Sequence, residues 1–192
     1  MRTFSSSRAL LILVASLCAI PAAAREGTQE KPTPAPPPAA ITPAANPKDV
    51  DSVDAIVAAL YDVISGPAGE RDWNRVRSLF LPDARLTAVR KKPDGTFNAT
   101  SVTVEGYIER AGKYFRERPF YESELSRKVE QFGQEAHVFS TYESREAPAA
   151  KPFARGINSI QLFNDGKRWY CVSIFWDEER ADNPLPAKYQ SK

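Results

Sequence analysis

With 192 residues, 42% of them hydrophobic, the chain has room for one domain with appendages. Its 26 basic and 24 acidic residues nearly cancel, which excludes the electrostatic footprint of a nucleic-acid binder. One histidine and two cysteines are too few donors for a zinc or copper site of the usual ligand types, so no metal is expected. No glycine fingerprint of a nucleotide or dinucleotide site is present either, and no cofactor is expected.

Residues 1–24 have the pattern of a cleavable export signal. Arg2 and Arg8 form a basic start, residues 9–20 an apolar run, and Pro21 precedes Ala22, Ala23 and Ala24 as a small-residue cleavage site. The run falls short of the roughly 20 apolar residues that cross a bilayer, so no stable membrane insertion is expected after cleavage. Cys18 follows Leu17, not the small residue that precedes a lipidated cysteine. With Arg2 and Arg8 removed, 24 of the 26 basic residues remain against 24 acidic ones, and the mature chain is formally neutral. It keeps only Cys171, so no internal disulfide forms, and the hydrophobic neighbours of that thiol mark it as buried and inert. Residues 25–47 are mostly Pro, Ala and Thr and read as a disordered linker. The expected domain then occupies residues 48–182, with a tail over 183–192. The expected address is the bacterial periplasm or the extracellular space, which discounts Asn98-Ala99-Thr100 as a glycosylation site.

Asp49 or Asp51 is placed to cap a first helix in which Val53, Ile56, Val57, Leu60 and Ile64 recur at helical spacing, ended by Gly66-Pro67. A short helix over residues 72–81 sets Trp73, Val76 and Phe80 on one side, with Pro82 as its stop. Residues 84–90 and 96–104 form a hairpin about Pro93-Asp94-Gly95. A third helix over Val104–Glu117 places Tyr107, Ile108, Ala111 and Phe115 on one face. Strands follow at 121–132, 135–146, 153–163 and 168–176, the last two joined by Asn164-Asp165-Gly166, a strong hairpin signal. Helices first and an antiparallel meander last make an α+β domain, three helices on one face of a curved sheet.

Asp72-Trp73-Asn74-Arg75-Val76-Arg77-Ser78-Leu79-Phe80-Leu81-Pro82-Asp83-Ala84 resembles the second-helix signature of nuclear transport factor 2-like proteins, the group that includes SnoaL-like cyclases. Ala136-His137-Val138-Phe139-Ser140-Thr141-Tyr142-Glu143 resembles a mid-sheet strand of that group, and residues 155–177 its final hairpin. The resemblance spans nearly all of residues 49–180. It implies a cone, a curved sheet wrapped around the first helix with a pocket at the wide end. It leaves activity open, because the group includes isomerases, cyclases, hydrolases, dehydratases, assembly subunits and adaptors.

An isomerase-type site needs a carboxylate base and hydrogen-bond donors facing a dry pocket. By the resemblance the base would follow Ala84, where Thr87, Ala88 and Val89 stand, and a second acid would stand where Asn158 and Ser159 do. His137, the only histidine, is the remaining candidate for proton transfer, with Glu143 on the same strand face. Alternation groups it with Phe139 and Thr141 and sets it opposite Val138 and Tyr142. Asn158 shares a side with Ile160 and Leu162, and Val172, Ile174 and Trp176 share one with Tyr170; these sides are expected to face the helices. Asn158 is then either a ligand contact or a core asparagine satisfied by backbone, and Trp176 lines the pocket mouth or plugs it. Glu122 and Glu124 share a strand face that reads as solvated surface. The leading expectation is a small apolar molecule bound without turnover by Tyr61, Tyr142, Asn158 and Trp176. The alternatives are an acid–base enzyme using His137 with a tyrosine or Asn158, and a homodimer joined through an outer sheet face bearing Phe139, Phe163 and Phe175.

Overall fold

The computed structural model describes residues 42–190; the expected export signal with its cleavage site, residues 1–24, and residues 25–41 of the expected linker lie outside them. Helix α1 (Val53–Asp62) buries Ile56, Val57 and Leu60, the periodic residues of the sequence. Its cap is Ser52, whose hydroxyl accepts from the Ala55 N–H at 3.1 Å, and not Asp49 or Asp51. Asp49 is instead buried in an ion pair with Arg75 at 2.8 Å, which ties the start of the domain to α2 (Trp73–Ser78). Asp72 caps α2 by accepting from the Arg75 N–H at 2.9 Å.

Strands β1 (Phe80–Lys91) and β2 (Phe97–Thr103) form the first hairpin, and α3 (Val104–Glu117) crosses from that edge of the sheet to the other. Strands β3 (Tyr121–Phe132), β4 (Glu135–Arg145), β5 (Ala154–Asn164) and β6 (Trp169–Glu178) then return as a meander, in the sheet order β2-β1-β6-β5-β4-β3. The sheet is mixed where a wholly antiparallel one was expected, because β1 and β6 pair in parallel. Direction explains it. Since α3 runs back across the sheet, β3 points the same way as β2, and three further reversals leave β6 pointing with β1. Pro82 does not stop a helix, which already ends at Ser78. It lies in the irregular stretch of β1 between Phe80 and Arg85, where a residue without an N–H is tolerated.

The core sits between the helices and the inner face, with Val138, Ile160, Leu162 and Cys171 under Ile56 and Val57. Alternation holds for β4 and β5 but breaks in β6. There Leu162 pairs with Cys171 and Gln161 with Ser173, so Val172 is an extra, unpaired residue. Such a bulge reverses which side chains point inward. Trp169 and Cys171 are therefore buried beside Ile174 and Trp176, whereas Val172 and Tyr170 leave the inner face to which they were assigned.

Packing extends past both expected limits of the domain. Thr42 Oγ1 donates to the Phe80 carbonyl at 3.1 Å and Ala45 packs on the core, so residues expected as linker belong to the domain. At the other end Leu185 is buried, and the hydroxyls of Ser126 and Thr141 donate to the Tyr189 carbonyl at 2.7 and 2.6 Å. The Tyr189 ring stands edge-on to Phe139 at 5.0 Å and covers it. No helix among the described residues is long and apolar enough to cross a membrane.

Gly156 faces Tyr142 across β4 and β5. A Cβ there would stand 2.3 Å from the Asp177 carbonyl oxygen and 2.7 Å from the Tyr142 hydroxyl. Gly156→Ala should therefore cost about 1–3 kcal/mol in urea unfolding, more than alanine costs in an ordinary strand.

Candidate active site

The curved sheet opens a cavity of about 600 Å³ beyond the packed core, within the roughly 300–1,000 Å³ usual for small-molecule sites. Its wall is mainly apolar: Leu60 and Ile64 from α1, Leu86 and Val102 from the first hairpin, Phe115 from α3, Ile174 from β6. Tyr61, Tyr142, Asn158 and Trp176 all line it, although they come from four different elements. Trp176 is half-buried in the wall and pairs with Asn158 across β5 and β6, near Arg90 and Glu178, which are joined at 2.9 Å on the rim.

His137 is not there. It lies on the outer face, its Nε2 within 3.0 Å of Ser159 Oγ and its ring 6.0 Å from Phe139. Glu143, its expected partner, is paired with Arg145. The candidate base of the sequence therefore has no access to the cavity.

A carboxylate does enter, from an unexpected strand. Between Glu124, paired with Tyr142, and Ser126, paired with Thr141, β3 carries Leu125 as an extra residue. The bulge turns Glu122 and Glu124 inward, opposite Ser144 and Tyr142, instead of onto a solvated face. Ser144 Oγ donates to Glu122 Oε2 at 2.9 Å. Burial among apolar walls raises the Glu122 carboxyl from the ordinary 4.5 to about 7, while the Ser144 hydroxyl and the Asn158 amide favour its charged form and Glu178 opposes it. The same burial pushes the hydroxyls of Tyr107 and Tyr142 well above the ordinary tyrosine value, with Glu122 adding to the shift. Both residues line the cavity, and neither hydroxyl has a hydrogen-bond partner among the described residues, so each is a neutral donor left unused by the protein.

Deeper, Asn158 Nδ2 donates to Tyr61 Oη at 3.1 Å and Tyr61 Oη lies 2.7 Å from Ser140 Oγ. Asn158 thus bonds to a side chain, not to backbone, at the floor of the cavity. Among the described residues no group of three His, Cys, Asp or Glu side chains gathers to hold a metal. Cys171 is free and fully buried, and burial raises its thiol far above the reactive range.

No sequence-family profile matches the chain, and no curated protein matches it in sequence. Its shape does have counterparts. A protein of unknown function with a cystatin-like fold from Nostoc punctiforme aligns over 67% of this chain and 90% of its own, with a TM-score of 0.51 at 11% identity. A Streptomyces avermitilis protein of the NTF2-like family aligns over 72% and 97%, with a TM-score of 0.50 at 15% identity. The fold is NTF2-like. A Mycobacterium tuberculosis protein of unknown function is as similar, at a TM-score of 0.51 and 15% identity over 70% of this chain and 75% of its own. At such identities the likeness is one of fold, and the chemistry of this NTF2-like domain has to come from its own side chains.

A raised carboxyl carries a stability signature. Below about pH 4 Glu122 is protonated in both folded and unfolded chains; above 4.5 the unfolded chain releases its proton first, so stability falls as the pH rises towards 7. Glu122→Gln should leave stability unchanged at pH 4 and raise it by on the order of 2 kcal/mol at pH 8, read from urea unfolding at the two pH values.

Proposed function

We propose that the cavity binds a small, mainly apolar molecule and that Glu122 moves a proton to or from it. The observation that carries this reading is the Glu122 carboxyl, poised near neutrality by burial in a mainly apolar cavity whose other carboxylate, Glu178, is paired with Arg90 on the rim. A base is most effective when its pKa lies near the working pH, and a carboxylate partly withdrawn from water, as the half-buried Glu122 is, is a stronger base than one in solvent. Tyr107 and Tyr142 supply neutral donors for an oxygen of the guest that gains negative charge as the proton leaves. His137, on the far face, has no part in this.

The binder without turnover is the same site with Glu122 serving only as a hydrogen-bond partner. Two further proposals stand beside this one. The chain is exported on the basic, apolar and small-residue pattern of its first 24 residues. Two copies associate through the outer sheet face, where Phe163 and Phe175 are 38% and 48% exposed; Phe139 contributes less, since Tyr189 covers it.

The test uses 5-nitrobenzisoxazole, a flat apolar probe that opens to a coloured cyanophenolate once a base removes its ring C–H proton. Wild-type domain should accelerate the opening along a pH profile with its midpoint near 7, the value of the Glu122 carboxyl. Glu122→Gln should lose roughly 100-fold in rate while still binding the probe, read by quenching of tryptophan fluorescence. Saturable binding with no acceleration would favour the binder; no binding would overturn the cavity reading itself.

A further inference from the structure

A chain of hydrogen bonds runs from the cavity floor to the protein surface through groups that the proton transfer itself does not use. Asp54 on α1 holds Arg127 at 3.0 Å, and Arg127 holds Glu124 at 2.7 Å. Glu124 Oε1 accepts from Ser140 Oγ, Ser140 lies 2.7 Å from Tyr61 Oη, and Asn158 Nδ2 stands 3.1 Å from Tyr61 Oη. Ser140 is fully buried and Tyr61 and Asn158 nearly so, so none of these groups can trade its partner for water without cost.

Donor counting gives this chain one direction. The salt-bridged Glu124 carboxylate can only accept, so the single Ser140 proton goes to it. Ser140 then has only lone pairs for Tyr61, and the Tyr61 proton goes to Ser140. Tyr61 in turn has only lone pairs for Asn158, whose side chain must present its NH₂ and not its carbonyl. One NH₂ hydrogen is used by Tyr61, which leaves the second for the cavity, where the amide favours the charged form of Glu122.

We propose that Glu124, Ser140 and Tyr61 are positioning residues that lock the Asn158 amide as a hydrogen-bond donor to the cavity, beside Glu122. The inference rests on the reading of Glu122 as the cavity's proton-transfer group and adds how its neighbour is oriented. The order of the chain matters more than its contacts. Break it at Ser140 and the Tyr61 hydroxyl is free to turn its proton towards Asn158, which admits the flipped amide with its carbonyl inward. A carbonyl beside Glu122 destabilises the carboxylate where an NH₂ stabilises it. The other groups around Glu122, namely Tyr107 from α3, Tyr142 and Ser144 from β4, Glu178 from β6 and Arg90 from β1, keep their places in either case.

The experiment follows the Glu122 carboxyl by ¹³C NMR across pH, with hydrogen exchange of the Asn158 side-chain NH₂ as second readout. Wild type should titrate near 7 with a protected Asn158 NH₂. Ser140→Ala and Tyr61→Phe should each raise the midpoint by about 0.5–1 unit and remove that protection. Val138→Ala, a buried cut on the inner side of the same strand and outside the chain, should change neither although it lowers stability. If Ser140→Ala does not fold, Tyr61→Phe decides alone, since it preserves the shape of the side chain. An unshifted midpoint in folded Tyr61→Phe, or an equal shift in Val138→Ala, would overturn the positioning role while leaving Glu122 as the cavity acid. A wild-type midpoint near 4.5 would overturn both.

Discussion

One extra residue decides what this cavity contains. Leu125 stands without a partner in β3, opposite the step from Thr141 to Tyr142 in β4. Residues before it on the inner face have even numbers, Glu122 and Glu124; after it the parity reverses, and Arg127 points inward to meet both Glu124 and Asp54 of α1. Without the bulge, the hairpin register would send Ser123 and Leu125 to the cavity and both glutamates to solvent. The acid of the site, the carboxylate that ends the buried hydrogen-bond chain, and the cation that holds that carboxylate all depend on this single insertion.

Around it the domain divides its inner face between two uses. Under the first turns of α1, Val138, Ile160, Leu162 and Cys171 are closed over by aliphatic side chains and carry the apolar burial that holds the domain together. Past Tyr61 the helix ends, the chain turns away through Gly66, and the sheet is left uncovered as a cavity wall. Tyr61 marks the boundary. Its ring belongs to the core, while its hydroxyl joins Ser140 to Asn158 at the cavity floor. Gly156 plays a matching part, because only a residue without a side chain lets the Tyr142 ring lie across β5.

Much of this is legible in the sequence, and the two errors of facing share one cause. Helical spacing located α1 and α3, the Asn164-Asp165-Gly166 turn located the last hairpin, and alternation along β5 placed Asn158 on the buried side, whereas in β4 it grouped Tyr142 with Val138 without showing which face is inward. Alternation assumes two residues per repeat throughout a strand, and both errors of facing arise where that assumption fails. At Val172 a bulge exchanges Val172 and Tyr170 for Cys171 and Trp169; at Leu125 another brings in Glu122, which reads as surface in a strand as polar as Tyr121–Phe132. The usable signal was across the hairpin rather than along the strand: Tyr142 and Ser144 face inward, so whatever pairs with them must also. Parallel pairing of β1 with β6 was likewise hidden, since strand direction depends on the path of α3 across the sheet, which no local pattern records.

The account turns on Glu122 being a cavity acid poised near neutrality, and site-resolved ¹³C NMR titration of its carboxyl in the wild-type domain tests that directly. A midpoint of about 7 is the predicted result. A midpoint at the ordinary glutamate value of 4.5 would mean that burial does not hold the Glu122 proton, and would contradict its role as a cavity acid poised near neutrality.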